Sequence, residues 1–384
     1  MRIVQVTPRF PPAIGGMENH VYAVSTELKK RGHEVMVITS DDVDENGKDT
    51  IRHMEVMNGV EVYRRALLFG KTMREYWFLS DITAILSKLK PDVVHTNGYR
   101  CVSSCIATYW CRRNNIPVVF TPHGIYPPRS FINHLVKTVY DHSFGNLLLK
   151  SSDKITALTE HNRQLLLKLG APRERIVIIP NGVDANKYNK ARQCNEKISK
   201  EKSGGPVLLY VGRIDWNKGL ERVIEALPAL VKSFNHIKFL IVGPDYSGHS
   251  KNLLALAREL EVSESVVMTG KVSEEQKSSY YSAADVFVLP AIYEGLSLSL
   301  LEAMASSLPI VTTKSGGPGD ILVDDVHALL MNECSAQEIS RSVGMILTDS
   351  KLSKRIGENA FDLVSKEFSW DRVVDKIEIL YRSL

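Results

Sequence analysis

Val207-Leu-Leu-Tyr-Val211-Gly212-Arg213-Ile-Asp-Trp-Asn-Lys218-Gly219-Leu220 runs from five apolar residues through a glycine-bounded polar loop into an amphipathic segment. The apolar run is continuous rather than alternating, which predicts a parallel strand covered on both faces. Residues 220–233 repeat their apolar side chains at helical spacing, so the unit is strand, loop, helix. Downstream, strands are predicted at 238–242, 266–268, 285–289 and 309–312, alternating with helices at 252–260, 274–283 and 298–306. Upstream, strands are predicted at 3–6, 35–38, 93–95, 118–120, 155–158 and 176–179, with a first helix at 17–30. This β-α-β rhythm predicts an α/β protein of two doubly wound Rossmann-like domains, facing across a cleft lined by their strand ends.

The 384 residues fit two cores at ~100–200 residues per domain. The stretch 186–205 is rich in Lys, Asn, Ser and Gly and nearly free of apolar residues, so it breaks the rhythm. The expected division is an N-terminal domain at 1–190, a linker at 191–205 and a C-terminal domain at 206–369. Residues 370–384 carry Val373, Ile377, Leu380 and Tyr381 at helical spacing. That helix either packs on its own domain or crosses back onto the first, and the second course is expected.

With 44% hydrophobic and 24% charged residues, the chain is ordinary globular material. No apolar run approaches the ~20 residues of a membrane-spanning helix, and Pro8 and Arg9 interrupt any leader-like N-terminus. The five cysteines are irregularly spaced; Cys101, Cys105 and Cys111 make no C-x-x-C pair, so free thiols in a reducing compartment are expected. A cytoplasmic location follows as an expectation. The net charge of +4 conceals an asymmetry. Residues 1–190 hold 26 Lys+Arg against 18 Asp+Glu, and residues 191–384 hold 22 against 26. Either both halves are ordinary solvated surfaces, or the first meets an anionic partner.

Several chemistries are missing. No G-x-G-x-x-G follows a strand, and no H-E-x-x-H or G-x-S-x-G occurs. Gly243-Pro-Asp-Tyr-Ser-Gly248-His249-Ser250 nearly makes a P-loop, but His249 stands where the phosphate-binding Lys belongs, so it reads as a plain βα loop. No Asp, Glu and His cluster has metal-ligand spacing, so no metal site is assigned.

Four loops after strands carry chemistry. Gly15-Gly16 precedes the first helix, where backbone amides and the helix dipole suit an anion. Arg213 and Lys218 flank the loop quoted above; a planar fork and a point charge at a helix start suit a diphosphate, unless the loop is simply solvated. In Glu294-Gly295-Leu296-Ser-Leu-Ser-Leu-Leu301-Glu302, Glu294 lies in a loop and Glu302 inside an apolar helix. Eight helical positions would part the two by about 12 Å, too far for a retaining-glycosidase pair at roughly 5 Å. A buried Glu302 with no partner would be costly, so a hydroxyl-bearing ligand is expected against it. Finally, Thr121-Pro122-His123-Gly124 puts a histidine after a strand, where it is either structural or part of a site.

Taken in order, Gly15-Gly16-Met17-Glu18, Thr121-Pro-His123-Gly, Ile179-Pro-Asn181-Gly182-Val183-Asp184, Val211-Gly-Arg213-x4-Lys218-Gly219 and Glu294-x7-Glu302 resemble glycosyltransferase family 4. The resemblance covers nearly the whole chain and implies a GT-B fold. It implies a nucleotide-sugar donor, UDP- or GDP-linked, held mainly by the C-terminal domain, and an acceptor held by the N-terminal one. Arg213 and Lys218 would grip the diphosphate, and Glu302 the ribose. Glu294 would hold the donor sugar with the amides of Gly295 and Leu296. Val272 would lie against the base, Gly16 would face the diphosphate, and His123 would sit beside the transferred sugar. Asp320, after Gly316-Gly317-Pro-Gly319, stands where relatives more often place Glu.

The expected activity is a retaining, metal-independent hexosyl transfer to a hydroxyl acceptor, with Arg213, Lys218 and helix N-termini neutralising the leaving diphosphate. Two alternatives share the fold: a nucleotide-sugar epimerase and a catalytically silent nucleotide-sugar-binding subunit. The basic residues Arg64-Arg65, Lys71, Arg74 and Arg112-Arg113 lie among Leu67, Leu68, Phe69, Tyr76, Trp77 and Phe78. Exposed, these would dock the protein peripherally on the cytoplasmic face of an anionic membrane and imply a lipid-linked acceptor; buried, they would be core. No nucleic-acid motif accompanies the charge.

Overall fold

The computed structural model describes residues 1–13, 15–41, 53–69, 76–124, 131–189 and 204–384. The chain divides into two compact units, one of residues 1–181 with 370–384 and one of residues 182–369. Most of the predicted linker, and Lys71 and Arg74 of the predicted membrane patch, lie outside the described residues.

The first unit contains strands β1 (Arg2–Val6), β2 (Glu34–Ser40), β3 (Met54–Met57), β4 (Val60–Arg65), β5 (Leu67–Phe69), β6 (Phe78–Leu79), β7 (Val93–Asn97), β8 (Val118–Thr121), β9 (Lys154–Ala157) and β10 (Ile176–Ile178). Eight form one sheet in the order β10-β9-β8-β7-β1-β2-β4-β3, parallel except for the β3–β4 edge pair, while β5 and β6 pair separately. Its central strands β7 and β8 are buried end to end and β2 from Val35 onward, as Val-rich runs covered on both faces must be. Ile3 pairs with both Val35 and Val93, so the strand order reverses at β1. That reversal opens a crevice at the carboxyl ends of β1 and β7.

The helix Gly16–Lys30 covers one face with Val21, Val24 and Leu28. Beside it lies the helix Trp370–Arg382, whose Val373, Val374, Ile377, Leu380 and Tyr381 are buried in the same core. The terminal helix therefore belongs to the first unit. Arg31 fastens its outer side, with Nη1 at 2.5 Å from Asp375 and 3.1 Å from Glu378. The second unit begins at Gly182 rather than at 206. Val183 donates its amide to the Phe368 carbonyl, and Tyr188 packs edge-on against Tyr281. These contacts draw residues 182–189 out of the predicted N-terminal domain.

The second unit holds β11 (Val207–Val211), β12 (Lys238–Val242), β13 (Val266–Gly270), β14 (Val286–Leu289), β15 (Ile310–Thr313) and β16 (Leu329–Met331). All are parallel, in the order β13-β12-β11-β14-β15-β16, the doubly wound dinucleotide-fold order. Its reversal falls between β11 and β14, so the loops after those two strands are neighbours.

The patch predicted for membrane docking is mostly not a surface. Arg64 is 1% exposed, inserted between Glu55 and the Pro11 carbonyl. Tyr76 and Trp77 are buried, and Leu67 packs on the core. The alternation in β4 points Val60, Val62 and Arg64 inward, so Arg64 is buried with a partner rather than displayed. Arg112 and Arg113 do remain exposed. Among the described residues, no helix is long and apolar enough to cross a membrane.

Candidate active site

In the second unit the loops after β11 and β14 are locked together by backbone. Gly219 has φ +64°, and a Cβ there would lie 2.2 Å from the Pro290 carbonyl oxygen. The Ile292 amide donates to the Asn217 carbonyl at 3.0 Å. A third loop backs the second. A Cβ at Gly317 would lie 2.0 Å from the Gly295 carbonyl oxygen, and the Gly317 amide donates to the Glu294 carbonyl. The glycines are there because three main chains meet without room for side chains.

This closure brings Lys218 and Glu294 together, 76 residues apart in sequence, with Nζ 2.5 Å from Oε2. Both are buried. A buried ion pair adds little to stability because two desolvated charges must be offset first, so its position points to a use. Arg213 lies in the same loop with its side chain exposed, and its carbonyl accepts from the Tyr210 hydroxyl at 2.9 Å.

Glu302 belongs to a separate ion pair. Lys277 Nζ reaches its Oε1 at 2.6 Å and the Tyr281 hydroxyl donates to Oε2 at 2.8 Å. The expectation that its burial demands a ligand is therefore corrected: protein groups already compensate the charge. Burial pushes the Glu302 carboxyl up, and Lys277 outweighs that, leaving it below the usual range. Burial lowers the Lys277 ammonium and Glu302, then Glu274, raises it past its ordinary value. The helical estimate of the distance between the two Glu also fails, because the helix begins at Leu298, capped by Ser297, and Glu294 precedes it. They remain two sites, each with its own lysine. Lys277 and Tyr281 went unread, though their i, i+4 spacing puts both on one helix face.

Val272 follows β13, whose last residue Gly270 has φ +70° and accepts the Gly243 amide. The Gly243–Ser250 loop is a plain βα loop. Asp245 takes the amides of Ser247, His249 and Ser250, which a phosphate would otherwise need. Asp320 lies exposed in the short helix Gly317–Ile321.

In the first unit, Gly16 opens its helix with no side-chain cap, and a Cβ there would meet nothing within 4 Å. Gly15 is crowded instead: a Cβ would lie 2.3 Å from Glu18 Oε2, and Glu18 sits 3.6 Å from Arg9. A carboxylate thus already neutralises part of the helix start.

His123 follows β8 with φ +58°, a left-handed conformation uncommon for a residue other than glycine. Its Nε2 lies 2.9 Å from Asn97 Oδ1. Asn97 is oriented from behind, since its Nδ2 donates to Gln5 Oε1 at 3.0 Å. Oδ1 therefore accepts, and the His123 proton is on Nε2. Gln5 in turn donates to the Tyr381 hydroxyl at 3.3 Å, which lies 2.6 Å from His95 Nδ1. His95 Nε2 closes the series on Thr121 Oγ1 at 2.7 Å.

His20 adds a second ring, 4.9 Å from His123, with Nδ1 2.9 Å from Asn181 Oδ1. Burial lowers His20 to about 4 and His95 to about 3, and burial with His20 and His95 nearby holds His123 well below its ordinary value. All three are neutral at pH 7. His20, His95 and Asn97 were invisible in the sequence, because only strand order brings β1, β7 and β8 side by side. Among the described residues, no group of three or more His, Cys, Asp or Glu could hold a metal ion.

Two doubly wound units, each gathering its polar loops at the carboxyl ends of a parallel sheet, define a GT-B protein. The Glycosyltransferase Family 4 profile matches residues 14–187 and the profile of Glycosyl transferases group 1 matches residues 192–362. The chain belongs to glycosyltransferase family 4. It is similar to a glycogen synthase of Mycobacterium tuberculosis, 27% identical over 99% of this chain and 94% of the relative. It is also similar to a phosphatidylinositol N-acetylglucosaminyltransferase component from Arabidopsis thaliana, 25% identical over 99% of this chain and 81% of the relative. Among solved structures it is similar to Anabaena HepE in complex with UDP and glucose, with a TM-score of 0.81 and 18% identity over 100% of both chains. Its family and its relatives make it a glycosyltransferase.

Proposed function

We propose that this glycosyltransferase moves a sugar from a nucleotide-diphosphate sugar to a hydroxyl of a lipid-linked acceptor, with retention and without a metal. The observation that carries the reading is the buried Lys218–Glu294 pair at the strand-order reversal of the second unit. Charge grows on the diphosphate as the sugar leaves, and a fixed ammonium that needs no reorganisation stabilises that charge in the transition state. Arg213, exposed in the same loop, adds a planar fork for a second phosphate oxygen.

The other roles follow from what each group can still accept or donate. A carboxylate has about four acceptor sites, so Glu302 keeps capacity for a ribose hydroxyl beyond its bonds to Lys277, Tyr281 and Tyr188. Main chain near Val272 takes the base. Glu294, with amides at Gly295 and Leu296, holds the sugar hydroxyls. Gly16, where a Cβ would meet nothing within 4 Å, leaves room for the diphosphate to face the helix start that Glu18 partly neutralises. His123, neutral with its proton on Nε2, presents Nδ1 as an acceptor for a hydroxyl. A carboxylate 2.5 Å from an ammonium is a poor nucleophile, so Glu294 does not favour a covalent intermediate. Front-face attack, with the leaving phosphate oxygen taking the acceptor's proton, retains configuration without one.

A lipid acceptor is supported by the basic first half and by the Arabidopsis relative, whose name places its activity on phosphatidylinositol. Peripheral attachment to a membrane follows from it. The test is release of nucleoside diphosphate from a panel of UDP- and GDP-sugars, with and without a lipid-linked acceptor, in the presence of EDTA. Turnover that needs the acceptor and survives EDTA is expected. A strict divalent-ion requirement overturns the metal-free mechanism. Consumption of donor without any acceptor favours the epimerase, and no turnover with intact nucleotide binding favours the silent subunit.

A further inference from the structure

In the first unit a groove of about 610 Å³ runs between the helices Ile82–Leu89, Val102–Arg113 and Asn146–Ser151. Cys105, Ile106, Trp110 and Tyr109 form its floor and one wall, and Phe144 and Leu147 the other. Tyr109, Phe144 and Leu147 are each about half exposed, at 51%, 52% and 49%. Val136 and Val139, on the neighbouring helix Phe131–Tyr140, are exposed as well. Large apolar side chains clustered on a surface mark an interaction site.

The charges around the groove say what covers it. The three helices carry Lys88, Arg112, Arg113 and Lys150, all exposed, and no Asp or Glu. Arg113 is held at the rim, its guanidinium 5.2 Å from the Tyr109 ring centre and Nη2 2.6 Å from the Tyr109 hydroxyl. The nearby Asp141 is neutralised by Arg100 at 3.7 Å. A second copy would set like charges against like across a two-fold contact. Half-exposed aromatics with Arg113 at the rim, on three helices that carry four exposed cations against one exposed acid at their ends, Asp81, match an acyl boundary beneath anionic headgroups.

We propose that this face docks on a bilayer containing anionic lipid. Tyr109, Phe144 and Leu147 enter the acyl boundary, and Lys88, Arg112, Arg113 and Lys150 meet headgroup phosphates. The inference rests on the lipid-acceptor reading, and it moves the docking surface from the 64–78 region to the helical layer. None of these residues belongs to the transfer site, so docking and chemistry are separable.

The test is flotation of the full chain with vesicles of phosphatidylcholine and phosphatidylglycerol in equal parts, against phosphatidylcholine alone. Wild-type protein floats only with the anionic vesicles, and less as salt rises. R112S/R113S loses binding by about tenfold or more, at roughly fivefold per cation removed, and F144S/L147S loses it about tenfold through lost apolar contact. K354S, an exposed cation of the second unit, keeps it. F144W shows blue-shifted emission with anionic vesicles only. Nucleoside diphosphate affinity is unchanged in every variant, which shows that they fold. If wild type and both double variants float equally, the groove is overturned and membrane docking survives. If wild type does not float at low salt, both fall and a soluble acceptor replaces them. A dimer that F144S/L147S dissociates assigns the face to a second copy and overturns the proposal.

Discussion

The two units use the same sheet design and stabilise their site loops in opposite ways. In the second, main chains are pressed together through Gly219, Gly316 and Gly317 around the pair Lys218–Glu294, and a second pair, Lys277–Glu302, lies largely buried between helices. In the first, a chain of neutral side chains runs from Tyr381 through Gln5 and Asn97 to His123. The difference teaches where each half of a transfer reaction keeps its electrostatics. A diphosphate leaving group calls for fixed cations, whereas an incoming hydroxyl needs uncharged groups of defined polarity.

Breaking the charged half has the largest expected effect. Lys218→Met removes the cation and strands Glu294, so it lowers kcat by about 10²–10³ and stability by about 3–5 kcal/mol. Adding Glu294→Gln restores most of the stability and none of the activity, measured by urea unfolding and turnover. If activity returns with stability, the pair is structural and the contrast between the units collapses.

The neutral half responds to acid instead. Unfolded chain binds a proton at His20 near pH ~6.5, whereas the folded state holds out until about 4. Stability present above pH ~6.5 is therefore lost as pH falls through that window, on the order of 3 kcal/mol for this ring. Urea unfolding at pH 7, 5.5 and 4 should show a shallower decline in His20→Gln than in wild type. Equal slopes would mean that His20 takes up its proton at the same pH folded and unfolded.

Glu302→Gln should weaken nucleoside diphosphate binding roughly tenfold to a hundredfold, read by calorimetry, since it removes a charged acceptor worth about 1.5–3 kcal/mol. An unchanged affinity removes Glu302 from the site. The smallest effect on function belongs to Tyr381→Phe, which loses two neutral hydrogen bonds, to Gln5 and His95, for about 1–3 kcal/mol of stability. If the neutral chain orients His123, kcat falls several-fold while the donor KM stays put. An unaltered kcat limits Tyr381 to packing.

The charged half was legible in sequence because its parts are local. Arg213 and Lys218 share one loop, Glu294 and Glu302 one loop and helix, and apolar runs gave β11, β12 and β14 almost to the residue. The neutral half was not, because Gln5 and Tyr381 are 376 residues apart and no local pattern joins them. Strands β3 and β4 were missed for a different reason. They sit at a sheet edge and alternate, with Glu55, Glu61, Arg64 and Arg65 interrupting the apolar run that marked the predicted strands, while β5, β6 and β16 are only two or three residues long. The same alternation made a buried arginine look like a membrane contact.

The return of the helix Trp370–Arg382 to the first unit has a consequence for synthesis. Domains made in sequence usually fold in sequence. Here the first core lacks Val373, Val374, Ile377, Leu380 and Tyr381 until the whole second unit has been translated. The unit that starts first is finished last. Until then the apolar flank of the helix Gly16–Lys30 stands uncovered, so a nascent chain halted anywhere before residue 370 offers chaperones and proteases an open hydrophobic seam, while one that reaches residue 382 closes it with its own tail.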